Sequence, residues 1–118
     1  MIRGIGVDIV SVSRIERLMD KYGEKILRRI LSGHERENMP RAGAAEYVAS
    51  RFALREALVK ATGWKDLHYP SVTVSKDESG RPYLEGEAFG RRQVDPGEFQ
   101  VSLSHEREYA VAFVVWVA

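Results

Sequence analysis

The sequence predicts an α+β fold in which helices pack on a mainly antiparallel sheet, and three observations carry the prediction. An apolar, β-branched run from Gly4 to Val10 reads as a strand. The stretch from Gly43 to Gly63 is rich in Ala, Leu, Arg, Glu and Lys and ends in a glycine, the pattern of one long helix. Beyond it the pattern changes to short alternating runs separated by turn residues, which predicts hairpins.

Strand alternation between Gly4 and Val10 places Ile5, Val7 and Ile9 on one face and Gly6, Asp8 and Val10 on the other, with Asp8 the one misfit. Ser13 and Glu16 stand at capping-box spacing, so a helix is expected from Arg14 to Tyr22, stopped by Gly23, with Arg14, Arg17 and Lys21 on its exposed side. Glu24 to Leu31 continues helically, and Ser32 with Glu35 repeats the capping box before a short turn ending near Pro40. Ser71–Ser75 and Pro82–Glu85 flank the turn Asp77–Gly80 and read as a hairpin. After the turn at Asp95-Pro96-Gly97, Phe99–His105 and Tyr109–Val117 form a second antiparallel pair. The last strand is almost entirely apolar, so both its faces should be covered, by the long helix or by another subunit.

Composition narrows the function. With 118 residues the chain can close one core and has little left for a second, so a single domain over 1–118 is expected. A formal net charge of +1 gives no bulk drive toward nucleic acid or membrane, and neither is expected as a partner. The absence of cysteine removes disulfides, thiol nucleophiles and thiolate zinc sites, and fits a reducing cytoplasm. Ile5–Val10 is interrupted by Asp8, unlike the apolar core of a signal peptide, and Ala110–Ala118 falls well short of the ~20 residues of a membrane span. A cytoplasmic protein is expected.

At helical spacing Phe52, Glu56, Val59, Lys60 and Gly63 share one stripe, beside a second stripe of Ala53, Leu54, Ala57 and Ala61 suited to close packing on a sheet. Glu56 and Lys60, four residues apart, make either a solvated ion pair or part of a site, and Phe52 and Val59 beside them favour partial burial. Asp8 inside an apolar strand needs a cation or hydrogen bonds; alternatively it caps the following turn through Ser11–Ser13. Gly6, on the same face, leaves room for another group to approach. Two carboxylates without a His or Cys cluster suit a hard cation such as magnesium, which keeps waters and takes its other ligands from phosphate. The pattern is that of a metal-dependent enzyme acting on a phosphorylated cofactor.

His34, His68 and His105 have no metal-ligand spacing. His105 ends the segment Ser102-Leu103-Ser104-His105, and the plain alternative is a turn histidine satisfied by Ser104 or Glu106. Arg51 could join Lys60 in lining a pocket for phosphates, whereas Arg55 is expected on a solvated face. No phosphate loop of the GxxxxGK[ST] or GxGxxG type is present, so any phosphate is held by side chains and metal.

Three segments together resemble the small bacterial holo-acyl-carrier-protein synthases of the 4′-phosphopantetheinyl transferase superfamily. They are Gly4-Ile5-Gly6-Val7-Asp8-Ile9-Val10 with Arg14-Ile15, Arg51–Ala61 with Gly63, and Val101–His105 with Tyr109–Ala112. Order and spacing match over nearly the whole chain; one departure is Arg55, where the family usually has lysine before the glutamate. The resemblance implies transfer of the 4′-phosphopantetheine arm of coenzyme A to a serine of an apo acyl carrier protein, in support of fatty acid biosynthesis. It makes Asp8 and Glu56 magnesium ligands, sets Lys60 against the coenzyme A phosphates, and puts Arg51 and His105 near the nucleotide. Asp8, Glu56 and Lys60 would carry the catalysis. It also implies an acidic carrier docking on Arg14, Arg17 and Lys21, and a homotrimer with active sites between subunits. Two other readings stand beside it: a transferase serving peptidyl or aryl carrier domains, and a non-catalytic module binding acidic proteins or RNA through Arg14 and Arg17.

Overall fold

The β-branched residues at the N-terminus form strand β1 (Ile2–Ser11), which turns directly into helix α1 (Val12–Tyr22). Gly23, at φ 55°, bends the chain into α2 (Glu24–Ile30), and a short α3 (Gly33–Glu37) follows. The long helix α4 runs over Ala44–Thr62 and ends at Gly63 in the left-handed conformation, as the glycine stop signal predicts. A hairpin of β2 (Thr73–Lys76) and β3 (Pro82–Glu85) comes next, then α5 (Glu87–Arg91), β4 (Phe99–His105) and β5 (Tyr109–Val117). Single 3₁₀ turns occupy Tyr69–Ser71 and Pro96–Glu98. The computed structural model describes residues 1–118.

All strand pairs are antiparallel, but there are two sheets: β1-β5-β4, and the separate pair β2-β3. Helix α4 covers one face of the larger sheet. Its Ala53, Leu54, Ala57, Leu58 and Ala61 are buried against Ala110, Ala112 and Val114 of β5, all three fully buried. The contact with β1 is closer still. A Cβ added at Gly6 would lie 2.0 Å from the Ala57 carbonyl oxygen, and one at Gly4 would lie 1.9 Å from that of Ala61. Strand backbone therefore rests on helix backbone, and only glycine opposite a stripe of alanines permits it. At the other end of α4, Trp64, Phe89, Phe99 and Trp116 close the core, with ring centroids 5.4–6.0 Å apart.

The opposite face of the larger sheet has no cover within the chain. Ile5, Val7 and Ile9 are 58%, 51% and 62% exposed, and Phe113, paired with Val7 across β1-β5, is exposed beside them. Thus the long helix covers one face of the apolar last strand and leaves the other open.

One local reading needs correction, and one helix had not been foreseen. Helix α1 begins at Val12, two residues earlier than Ser13-Glu16 spacing suggested. Its cap is Ser11, whose Oγ accepts from Arg14 N while also meeting Ser13 Oγ at 3.0 Å. Val12, which is buried, holds this earlier start by donating its N–H to Glu108 O at 2.9 Å. Helix α5 had no clear sequence signal; burial of Ala88 and Phe89 defines it. The second capping box is present in full, with Glu35 N donating to Ser32 Oγ and Ser32 N to Glu35 Oε1.

The glycine contact generates a prediction. Gly6→Ala forces β1 off α4 and lowers stability by about 1–3 kcal/mol, the usual cost of overpacking, read as a lower urea midpoint.

Candidate active site

Because β1 lies so close to α4, the residue two positions beyond Gly6 faces the helix as well. That residue is Asp8, whose side chain is 18% exposed. Lys60, from the last turns of α4, reaches across and donates from Nζ to Asp8 Oδ1 at 3.1 Å and to the Val7 carbonyl at 3.0 Å. Asp8 is therefore not the cap of the following helix, a role Ser11 performs. The Glu56–Lys60 ion pair along the helix does not form. Glu56 Oε2 instead accepts a hydrogen bond from the phenol of Tyr69, whose ring packs at 6.1 Å from that of Phe52. Burial foremost, then the hydrogen bond to Glu56 and the negative charges of Glu56 and Asp8, push the Tyr69 phenol well above the usual tyrosine range. Both carboxylates thus bear on the same hydroxyl, which stays protonated.

Asp8 and Glu56 present carboxylate oxygens from two separate elements, and no cluster of three or more His, Cys, Asp or Glu side chains is formed. A closed zinc site needs more ligands than this. A hard divalent cation that retains waters and binds phosphate oxygens fits the pair: Asp8 is held only by an exposed lysine, and Glu56 by one neutral phenol.

Beneath the site lies Arg55, which the sequence reading placed on a solvated face. It is fully buried. Its guanidinium pairs with Glu35, donating from Nη1 to Oε2 at 3.1 Å and from Nη2 to Oε1, and further donates to the carbonyls of Tyr69, Val72 and Arg51. Glu35 also accepts from Ser32 N and from Val74 N at 3.0 Å. One ion pair thereby joins α3, α4, β2 and the turn at Tyr69. The misreading arose because α4 is buried on nearly all sides, with residues 31–35 and 69–74 covering the face that carries Arg55.

Arg51, one turn before Arg55, lines a cavity of about 730 Å³ together with His34, Tyr47, Lys76, Glu85 and His105. Its guanidinium lies 4.0 Å over the Tyr47 ring, and Nη1 donates to Ser50 Oγ at 2.9 Å. Burial lowers the basicity of Arg51 and raises the Tyr47 phenol, whose hydroxyl donates to Glu35 O. His105, at the exposed end of β4, faces this cavity. The structure thus brings Arg51 and His105 together on one cavity, and Lys60 onto Asp8, with Glu56 joined to that pair through the Tyr69 hydroxyl on which both carboxylates bear; the cavity lining includes none of Asp8, Glu56 and Lys60. Arg51 and Glu56 are five positions apart along the helix, a rise of about 7.5 Å.

Arg14, Arg17 and Lys21 are exposed on α1 within about 60° of one another around its axis. Next to them Leu18 and Tyr22 form a shallow groove with Lys25, Ile26 and Arg29 of α2.

A model of the 4′-phosphopantetheinyl transferase superfamily matches residues 4–114. The chain belongs to this superfamily. Among transferases of known sequence, the holo-[acyl-carrier-protein] synthase of Halothermothrix orenii is 42% identical over 122 residues, covering 98% of this chain and 97% of its own. The crystal structure of the holo-[acyl-carrier-protein] synthase from Neisseria meningitidis matches with a TM-score of 0.88 at 36% identity, over the full length of both chains. The Bacillus anthracis synthase, solved in complex with CoA (3′,5′-ADP), matches with a TM-score of 0.79 at 35% identity, covering 98% of this chain and 96% of its own. The α+β expectation is thus met by transferase structures of the same length. Sequence reasoning missed Tyr69 and Glu35, the residues that hold Glu56 and Arg55 in place. Glu35 did carry a signal, its capping-box position, but nothing marked it as the partner of Arg55.

Proposed function

We propose that the protein transfers the 4′-phosphopantetheine arm of coenzyme A to a serine hydroxyl of an apo acyl carrier protein, releasing adenosine 3′,5′-bisphosphate. The observation that carries this reading is the meeting of Lys60 with Asp8 across β1 and α4, with the Glu56 and Asp8 carboxylates both bearing on the Tyr69 hydroxyl, in a chain 42% identical along its length to a synthase of that name. A relative that binds coenzyme A or its 3′,5′-ADP portion supports the choice of donor.

Asp8 and Glu56 would hold a magnesium ion, which when bound neutralises pyrophosphate charge and orients the phosphorus for in-line attack. The other roles belong to the chain itself. Lys60, on the rim and 57% exposed, is free to swing from Asp8 to the donor phosphates and stabilise the leaving bisphosphate. Glu56, or a water it holds, takes the proton of the attacking serine. Arg51 and His105 receive the nucleotide end in the neighbouring cavity, about 7.5 Å along the helix from Glu56, a separation a pyrophosphate and ribose can bridge.

The stripe Arg14, Arg17 and Lys21 docks the carrier, whose acidic surface it complements on a protein with net charge of only +1. Three copies assemble through the open sheet face, burying Ile5, Val7, Ile9 and Phe113, with active sites at the subunit boundaries. The setting is cytoplasmic fatty acid biosynthesis, and no helix is long and apolar enough to cross a membrane.

Incubating the protein with coenzyme A, magnesium and an apo fatty-acid carrier is expected to raise the carrier mass by one phosphopantetheine. EDTA stops the gain and added magnesium restores it. A carrier that never gains this mass with the magnesium-loaded protein overturns the reading, and a preference for peptidyl carriers moves the acceptor class. Light scattering is expected to give three times the chain mass, falling to one in Phe113→Arg; a fully active wild-type monomer contradicts the assembly.

A further inference from the structure

Glu56 and Lys60 stand four residues apart in the orientation that favours a helical ion pair, glutamate on the N-terminal side, yet they do not pair. Lys60 goes to Asp8, and Glu56 has a single hydrogen-bond partner, the phenol of Tyr69. A glutamate on a half-buried helix surface has three side-chain torsions and would lose little by swinging to the ammonium one turn away. Something must hold it back.

Tyr69 is built to do so, because it is fixed at both ends. Its carbonyl accepts from Arg55 Nε at 3.2 Å, and Arg55 is itself locked by Glu35 in the core. The turn it opens is closed by Ser71 N donating to His68 O at 3.0 Å and by the Ser71 hydroxyl donating to the same carbonyl. Its ring lies tilted at 56° against Phe52, which sits one turn before Glu56 on the same stripe of α4. The hydroxyl thus projects from a rigid support onto Glu56 Oε2, with a continuous path of contacts from Glu35 through Arg55 and Tyr69 to Glu56.

We propose that Tyr69 is a positioning residue for the transfer reaction, its phenol holding the Glu56 carboxylate toward Asp8 and away from Lys60. This rests on the reading of Glu56 as a metal ligand. The phenol occupies Oε2 and leaves Oε1 for the cation, and Lys60, held off Glu56, has only its contacts to Asp8 and the Val7 carbonyl to leave when it turns to the donor phosphates. Outer hydrogen-bond partners of this kind orient metal ligands, and removing one typically weakens metal binding about 10–100-fold.

Tyr69→Phe removes the hydroxyl and keeps the ring on Phe52. The free Mn²⁺ signal in electron paramagnetic resonance, with coenzyme A present, reads metal affinity directly. Tyr69→Phe is expected to weaken Mn²⁺ about tenfold and raise the magnesium concentration for half-maximal transfer by the same factor. Saturating metal should recover most of kcat, and the thermal midpoint should stay within a few degrees of wild type. In the Glu56→Gln background the same change should add nothing. Wild-type Mn²⁺ affinity in Tyr69→Phe, alongside a loss in Glu56→Gln, overturns the role of Tyr69 alone. Wild-type affinity in Glu56→Gln overturns the reading of Glu56 beneath it. A lowered thermal midpoint with unchanged metal affinity makes Tyr69 structural and overturns the proposal as well.

Discussion

Two backbones lie in direct contact where β1 crosses α4, and everything in the site follows from that approach. At Gly4 and Gly6 the helix carbonyls of Ala61 and Ala57 occupy the space a side chain would need. Any larger residue would hold the strand away from the helix, and Asp8 would then face solvent or an apolar gap. With glycine there, Asp8 comes within reach of Lys60, although 52 residues separate them in sequence. The strand brings one carboxylate and the helix brings the other. Antiparallel pairing of β1 with β5 from Ile2 to Ser11 fixes the register, so Asp8 cannot slip by one residue without turning every side chain of the strand to the other face.

The helix side is held by a different kind of force. Arg55 and Glu35 are both essentially without solvent; Arg55 further donates to the backbone carbonyls of Arg51, Tyr69 and Val72, and Glu35 accepts from the backbone N–H groups of Ser32 and Val74. A buried pair of this kind is a weak source of net stability, because desolvation offsets its attraction, but losing one partner leaves a charge stranded at a cost of about 3–5 kcal/mol. Its value is in fixing geometry. Arginine suits the position, since a planar fork can serve Glu35 and the carbonyls of Tyr69 and Val72 at once.

How much of this could be read from the sequence depends on whether the signal is local. The long helix, the hairpin, the last two strands and the Ser32–Glu35 capping box were legible because they rest on spacing and turn residues within a few positions. Asp8 was legible as a misfit, a carboxylate in an apolar run, and Glu56 with Lys60 as a stripe beside apolar neighbours. What could not be read was pairing over distance. Glu56 and Lys60 looked like partners because helical spacing is the only neighbour relation a sequence displays, while their actual partners, Tyr69 and Asp8, come from other elements. Arg55 looked solvated for the same reason: the segments that bury it are distant in sequence. The start of α1 was misplaced by two residues because two serines compete for the cap, and burial of Val12 decides between them.

Whether a strand carboxylate and a helix carboxylate act as one unit is read directly by a double-mutant cycle. Single-turnover transfer to the apo carrier is measured for the wild type, Asp8→Asn, Glu56→Gln and the double variant. If the two carboxylates serve one cation, each single change lowers the rate by about 100-fold or more, and the double variant is no slower than the slower single. Losses that multiply, giving a double variant slower than either single by the full product, would mean that Asp8 and Glu56 act independently and that the site is not the one described.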